Sequence, residues 1–513
     1  MDQEFYITTA IDYPIGDPHV GGAFEKIGAD VQTRYQRMQG QTTRLLLGSD
    51  EHPGRVLLRA KDGGFSLQTY VDQRAQQLQM VWRTLEVEHD HYFRTSSSRH
   101  QLGCRHYIEE LHRAGLFYKR SHESLYCTGC EEFKRPDDLV AGKCEEHESQ
   151  YLQPVQSSYF FALSRFKKRL LNLYAERAEL IYPKSARDRV RAWLEMGLED
   201  IPVTRGNVPW GVRVPFDENE TIWIWFEALL SYITAVGYGT DAQQLERCWP
   251  ARIQIVGRDI LWYHAVLWPA MLMAIGLEPP KRLQVHGLLT WNGEKLSKTL
   301  GNGVSPTQLT DQFGIDALRY YLMRVCPFDQ DSDFSLSDFR DRCSRDLTDK
   351  LELLYLRTVA LCLQHPENDI VEPHSLSAYE VFGTIDLANV IAAIRTGIEE
   401  FQYQKVLDTI WKKLLDPAIK YLDSTVEPAI SKRRLIEMLR VLAILLKPFM
   451  PGTSELLYGT FDHMQGFAGV RLEDCLIPGN ENVQLRFTQP VANIRPAVLS
   501  RGSETHPDHG FER

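Results

Sequence analysis

EFYITTAIDYPIGDPHVGGAFEKIGADVQTRYQRMQGQTTRLLLGSD, residues 4–50, is the stretch from which the fold is read. EFYITTA is rich in β-branched and aromatic residues and reads as a strand. Phe24, Ile27, Val31, Tyr35 and Met38 then recur at helical spacing, which predicts one helix with a single apolar face. Gly40 stands where a helix C-cap belongs. TTRLLLGSD reads as a second, buried strand with a polar tip. Strand, glycine loop, helix and strand in that order make a βαβ unit, so the sequence predicts a parallel sheet with ligands at the carboxyl ends of its strands.

The chain continues for 513 residues, too many for one core, so several domains are expected. With 43% apolar and 25% charged residues it reads as a globular protein. No apolar run is long enough to cross a membrane, and the N-terminus has neither the basic nor the apolar part of a signal peptide. Nine cysteines, an odd number and mostly scattered, suit a reducing cytoplasm better than a disulfide framework. The net charge of −10 argues against a surface coated with basic residues for nucleic acid. The basic stretches SRFKKRLL and KSARDRVRAW are read as solvated helix faces.

A second group of strand signals follows much later: TIWIWFEAL, ARIQIVGRD and RLQVHGLLT. Between the groups lies a Cys-, Lys- and Arg-rich segment, which reads as an insertion between two halves of one sheet. The expected order is a first catalytic half over 1–114, an insertion over 115–205 and a second half over 206–290. A loop and stem-contact region over 291–345, a helical domain over 346–480 and a loose tail over 481–513 complete it. AIRTGIEEFQYQKVLDTIWKKLL and RRLIEMLRVLAILLKPFMP carry the helical pattern of the late region.

In the opening loop, Gly21 and Gly22 let backbone approach a ligand at a helix N-terminus, where free N–H groups and the helix dipole favour anions. His19 adds a donor for a phosphate oxygen. By itself this is an ordinary strand-to-helix loop, and no GxxxxGK[ST] occurs. The second signal is WNGEKLSKTLGN, residues 291–302. Lys295 and Lys298 flank Ser297 in a glycine-bounded loop, suited to neutralising charge on a transferring phosphate; the bland reading is an exposed basic turn.

Together the two loops resemble the methionyl-tRNA synthetases, a family of class I aminoacyl-tRNA synthetases. PHVGG is similar to that class's HIGH motif and KLSKT to its KMSKS loop. LLLGSDEH, EDIPVTR, PWGVRVP, IWIWFEALLSY, VGRDILWYHAVLWPAML, QVHGLLTWNGEKLSKTLGN and VSPTQLTDQFGIDALRYYL resemble further family blocks in family order. The likeness is close over roughly residues 4–345 and loose in the helical part. It implies an α/β class I synthetase fold: a Rossmann-type parallel sheet, an inserted zinc-knuckle connective domain and a following α-helical bundle. It implies ATP-dependent activation of an amino acid, methionine or one similar, as the adenylate.

Carried over by position, the resemblance implies a nucleotide site of His19, Gly21, Gly22, Asp259, His286, Gly287, Lys295, Ser297 and Lys298, with ATP arriving as its Mg2+ complex. Asp50 would meet the substrate ammonium, for which a carboxylate is the natural partner, and Arg205 would orient the reacting groups. The amino-acid pocket maps to Ala10, Ile11, Tyr13, Trp225, Ala228, Tyr232, Ile260 and His264, with Asp12 beside it. Aromatic walls suit a polarizable thioether. Taken singly, each aromatic is a plain core residue.

YCTGCEEFKRPDDLVAGKCEEH supplies Cys127 and Cys130, then Cys144 and His147. Two such pairs across a short gap suit a closed, structural Zn2+ site. The alternatives are a set of free thiols, or replacement of His147 by a neighbour such as His122.

The departures from the family bear on function. Gly22 stands where HIGH ends in histidine, which removes a donor worth roughly 10²-fold or more in rate. Asp12 replaces an apolar residue, where a carboxylate would recruit a second cation or alter substrate choice. Glu227 replaces an aspartate, and Pro53 a glycine. In DLTDKLELLYLRT, Arg357 is kept but Leu353 occupies the place of the base-reading asparagine. Glu427-Pro428 stands for a Pro-Trp whose indole would stack on the anticodon, a contact worth about 1–3 kcal/mol. The sequence therefore leans to a paralogue that passes the acyl group to an acceptor other than anticodon-read tRNA, such as a small molecule. The alternatives are a genuine methionine-tRNA ligase and an inactive binding protein, the last opposed by His19, Asp50, Arg205, Lys295 and Lys298.

Overall fold

In the first strand, β1 (Phe5–Thr9), Tyr6, Ile7, Thr8 and Thr9 are all buried. Burial of successive residues, which point to opposite faces, belongs to a strand covered on both sides, the mark of a parallel sheet. A computed structural model describes residues 3–134, 139–140, 143–144, 152–291, 293–295, 304–364, 386–424, 428–461 and 466–476. The chain divides into two compact units, one of residues 1–17, 43–81 and 88–286, the other of 18–42, 82–87 and 287–513.

The first unit holds the expected sheet. Besides β1 it contains β2 (Thr43–Ser49), β3 (His91–Arg94), β4 (Ile181–Tyr182), β5 (Ile253–Gly257) and β6 (Leu283–His286). Their order across the sheet is β3-β2-β1-β5-β6-β4, and every pairing is parallel. The chain winds outward from β1 through β2 to β3, then returns to β1's other side with β5. The order reverses between β1 and β5, so the crevice at their carboxyl ends is the topological switch point, where α/β sheets bind ligands.

Within the expected insertion, strands Phe117–Cys127, Glu132–Lys134, Leu152–Phe161 and Ile201–Pro202 form an antiparallel four-stranded sheet. One expectation is corrected here. TIWIWFEAL, read as a strand, is strand only to Ile222; α3 (Ile224–Thr234) follows. Trp223 is the extended residue at the turn. All of α3 except Trp225 is buried, so its sequence has no polar face and mimics a buried strand.

The second unit contains α1 (Val20–Met38) and the late helices. Gly40, with φ +78°, sits just past the C-cap of α1, in the left-handed conformation glycine favours. The stretch AIRTGIEEFQYQKVLDTIWKKLL is helical but divides at Phe401, whose φ is +60°, into helices Leu387–Glu399 and Tyr403–Ile410 with a short continuation. The unit's core centres on a buried ion pair. Arg319 donates to Asp30 at 2.5 Å and to the carbonyls of Leu85, Pro448 and Phe449 at 3.0–3.1 Å. Beside it, α1 carries Gly28 against the ring of Phe328, where a Cβ would collide, and Tyr403 donates to the Gly28 carbonyl at 2.7 Å. None of the nine cysteines is in a disulfide. Among the described residues no helix is long and apolar enough to cross a membrane.

Candidate active site

The residues expected to form the amino-acid pocket converge at the switch point of the first unit. Ala10 to Tyr13 leave the end of β1, and Asp12 bridges to Ser49 at the end of β2. Asp50 follows directly, its N–H bonded to the Asp12 carbonyl at 2.9 Å. Trp225 and Ala228 come from the first turns of α3 and Tyr232 from its last. Ile260 and His264 come from the turns after β5.

Aromatic rings wall the site. Trp225 stacks flat on Tyr263, with centroids 3.9 Å apart and planes 1° from parallel. Tyr13 meets Trp225 edge-on at 6.2 Å. Tyr232 donates to His264 Nε2 at 2.8 Å, while His264 Nδ1 lies 2.9 Å from the Ile260 carbonyl. A carbonyl only accepts, so Nδ1 carries the proton and Nε2 the lone pair. In the neutral ring, Nε2 is then the acceptor for the Tyr232 hydroxyl. Tyr263 was not among the expected pocket residues; its hydroxyl donates to Glu132 at 2.6 Å in a 380 Å³ cavity beneath the insertion sheet.

The electrostatics single out Asp50. It is 2% exposed, and its Oδ1 has no hydrogen-bond partner. Burial, then the charge of Glu227, pushes its carboxyl well above the usual range, against one bond from the His52 N–H. Glu227 is the opposite case. Burial would raise it, but His52 at 2.5 Å and His100 at 3.3 Å bring it down to about 2. Both histidine rings are committed to one oxygen of Glu227, and neither ring is placed against Asp50. The Tyr13 hydroxyl and the Trp225 indole N–H are likewise buried and unpartnered. Unsatisfied buried polar atoms are costly, and a cluster of them facing one crevice marks a place that a polar ligand completes.

Around this pocket the first unit also sets Arg205, Asp259 and His286. Arg205, on strand Thr204–Gly206, lies over the Tyr126 ring at 3.9 Å. Asp259 and His286 flank Gly257: a Cβ there would strike Asp259 Oδ1 and touch His286. In the second unit, His19 is the N-cap of α1, and its Nδ1 accepts from the Gly21 N–H at 3.1 Å. That bond puts the ring proton on Nε2. No acidic residue lies in the first turn of α1, leaving a helix N-terminus suited to an anion. The Val20 N–H donates to the Val304 carbonyl at 3.1 Å, so the start of α1 meets the chain just beyond the lysine loop. Gly287, at the unit's other edge, donates to the Phe328 carbonyl at 3.0 Å. Lys295 ends the short strand Glu294–Lys295, and its side chain, like Ser297 and Lys298, lies outside the described residues. At Gly22 a Cβ would meet Trp82 Cη2 at 3.5 Å, an ordinary contact.

Of the four expected metal ligands, Cys127, Cys130 and Cys144 bring their thiols within 4.8 Å of one another, and His147 lies outside the described residues. Three clustered thiols, two of them buried, suit a soft tetrahedral ion such as Zn2+. His122, the alternative ligand, instead bonds Ser158 at 3.0 Å. In the helical region Leu353 is 39% exposed, Arg357 pairs with Asp423 at 2.6 Å, Pro428 opens helix Pro428–Leu446, and Glu427 lies outside the described residues.

Sequence reasoning named neither His52 nor His100, which hold Glu227, nor Glu131. His52 stood in view within the Asp-Glu-His block. His100 sits on helix Ser98–Arg113, where its spacing looks like that of any core residue.

Comparison with known proteins gives the family and the fold. A family model described as tRNA synthetases class I (M) matches residues 5–156 and 135–359. The chain is 33% identical over 516 residues to the methionine–tRNA ligase of Thermosynechococcus vestitus, covering 97% of each chain. It is 35% identical over 475 residues to that of Caldanaerobacter subterraneus, covering 89% of this chain and 74% of that ligase. Among solved structures, Mycobacterium tuberculosis methionyl-tRNA synthetase in complex with methionyl-adenylate superimposes with a TM-score of 0.85 at 28% identity, over 93% of this chain and 98% of the other.

Proposed function

The chain belongs to the class I tRNA synthetases of the methionine type, and we propose that it activates methionine with ATP and transfers the methionyl group to tRNA(Met). The observation that carries the reading is Asp50: a buried carboxylate with one oxygen unpartnered, beside an aromatic slot ended by the Tyr232–His264 pair. An α-ammonium satisfies the first and a thioether the second.

In the first step, Asp50 holds the ammonium while Tyr13, Trp225, Tyr232 and His264 surround the side chain. The substrate carboxylate oxygen attacks the α-phosphorus of ATP; the bond to the β-phosphate bridging oxygen breaks, and pyrophosphate leaves. His19 Nε2–H and the free N–H groups at the start of α1 meet the phosphates, with Lys295, Ser297 and Lys298 completing their cradle. Asp259, His286 and Gly287 border the nucleotide, and Arg205 orients the reacting groups. These are positioning and charge-stabilising roles, which is where catalysis of phosphate chemistry lies. In the second step a ribose hydroxyl at the tRNA terminus attacks the activated carbonyl and AMP leaves. Cys127, Cys130 and Cys144 would hold a structural Zn2+, which braces the insertion.

The lean towards a non-tRNA acceptor is withdrawn. It rested on Leu353 and Glu427, whereas ligases named for tRNA charging align over almost the whole chain, helical region included. The exposed Leu353 and the pairing of Arg357 with Asp423 keep one feature of that reading: bases would be met here by other residues. Amino-acid-dependent ATP–pyrophosphate exchange, run with all amino acids, tests the first step. Charging of tRNA(Met) tests the second. Exchange with methionine but no charging would return the case to a different acceptor.

A further inference from the structure

We propose that Glu131 is a positioning residue for the amino-acid site: it fixes the Asp50–Pro53 loop and the shelf under Arg205 from the turn of the cysteine cluster. This rests on the proposed activation of an amino acid at Asp50. The argument begins with α2 (Gly54–Asp62), which starts four residues after Asp50. Its N-cap is Pro53, which makes no side-chain cap bond, and its first turn has no acidic residue. A helix start without a cap leaves N–H groups to be satisfied from elsewhere. Glu131 does this across 77 positions of sequence: its Oε1 accepts from the Gly54 N–H at 2.6 Å, and the carboxylate also accepts from the Arg55 N–H. A negative charge at a helix N-terminus adds the favourable dipole term.

The other carboxylate oxygen accepts from Tyr126 at 2.7 Å. The ring so fixed is the one on which Arg205 lies, at 3.9 Å. One carboxylate thus holds both the start of the helix that the Asp50–Pro53 loop runs into and the platform of the arginine expected to orient the reacting groups. Its own backbone is unusual. Glu131 has φ +59°, a left-handed conformation that glycine or asparagine fills more easily. Two bonds hold it there, Glu131 N–H to the Cys127 carbonyl and Trp223 Nε1–H to the Glu131 carbonyl, both 2.8 Å. The side chain is 2% exposed. A strained, buried glutamate persists where its side chain is in use, and this one is aimed at the active-site loop. Because it follows Cys130 directly, any loosening of the cysteine turn is transmitted to Asp50.

The test compares wild type with Glu131→Ala and Glu131→Gln by ATP–pyrophosphate exchange, amide hydrogen exchange over residues 50–56, and thermal melting. In Glu131→Ala the Gly54 and Arg55 amides should exchange about tenfold faster, as for loss of an N-cap. The KM for methionine should rise about tenfold while the KM for ATP stays within about twofold. Glu131→Gln keeps an acceptor oxygen for Gly54, so it should restore the amide protection and part of the methionine KM. Wild-type protection in the alanine variant, or equal effects on both KM values, overturns the inference. If wild type exchanges with no amino acid, the proposed function fails first, and the amide protection still decides whether Glu131 fixes the loop.

Discussion

Replacing Asp50 with asparagine should uncouple stability from activity. In the empty protein this carboxylate is a burden: it is buried, one oxygen lacks a partner, and the Glu227 charge lies nearby. Its folded-state pKa is raised above the ordinary aspartate value, so between those two values the folded state holds the proton more tightly than the unfolded one. Stability therefore falls as pH rises through that window and stays lost above it. Asparagine is nearly isosteric and uncharged, so at neutral pH the variant should melt at or above the wild-type temperature, by about 2–4 °C for each kcal/mol regained. The two melting curves should converge as pH falls towards the ordinary carboxylate range. Activity should move the other way. Loss of a buried, charge-assisted contact to an ammonium costs about 2–4 kcal/mol, or roughly 30- to 1000-fold in kcat/KM for methionine. A methionine analogue whose amine is replaced by hydroxyl supplies the control, because its exchange should be slow with wild type and little worse with the variant. ATP–pyrophosphate exchange and calorimetry across pH measure both arms. A variant that melts about 5 °C lower at neutral pH, or keeps kcat/KM within about threefold of wild type, would refute the assignment of Asp50 as an unpaired ammonium partner.

Tyr232→Phe removes the donor to His264 Nε2 and leaves a buried acceptor; the expected cost of about 1–3 kcal/mol should appear as a KM for methionine raised about tenfold or more, read in the same exchange assay. Cys127→Ser should lower bound zinc, measured by elemental analysis of the purified protein, from about one ion per chain to a small fraction of that. Arg319→Met takes one of its buried cationic partners from Asp30 and should destabilise the second unit by about 3–5 kcal/mol; denaturant melts of this variant and of Arg319→Met with Asp30→Leu should show the double variant recovering much of the loss. Gly22→His should speed exchange about tenfold by restoring a transition-state donor, since the Cβ itself is accommodated beside Trp82. An unchanged or slower rate would mean the site has been rebuilt around glycine.

The parallel sheet was legible because its evidence is local. β1, β2, β5 and β6 each carry a short buried run, and β1, α1 and β2 follow one another with caps in place, whereas the short edge strands β3 and β4 have no such run and left no signal. The failure at TIWIWFEAL has the same physical root: α3 is buried on nearly all sides, and periodicity reports a helix only where one face meets water. The division at Phe401 was invisible for a different reason, because a positive φ at a phenylalanine is imposed by packing and leaves no mark in composition.

The site was legible as a list of residues but not as a circuit. Asp50, Tyr232 and His264 could each be placed by matching blocks, yet their chemistry depends on what lies beside them. Asp50 is available to a cation because His52 and His100 are committed to Glu227, a glutamate where the family has aspartate. His52 is two residues from Asp50, while His100 comes from a helix far along the chain. Without them, two buried carboxylates would compete for one substrate ammonium, and the shared proton would blunt both. The substitution at residue 227 therefore reads as an adjustment that lengthens the side chain to reach its histidines. It keeps Glu227 bonded to two histidines from separate parts of the chain and leaves one buried oxygen of Asp50 unpartnered, open to an ammonium.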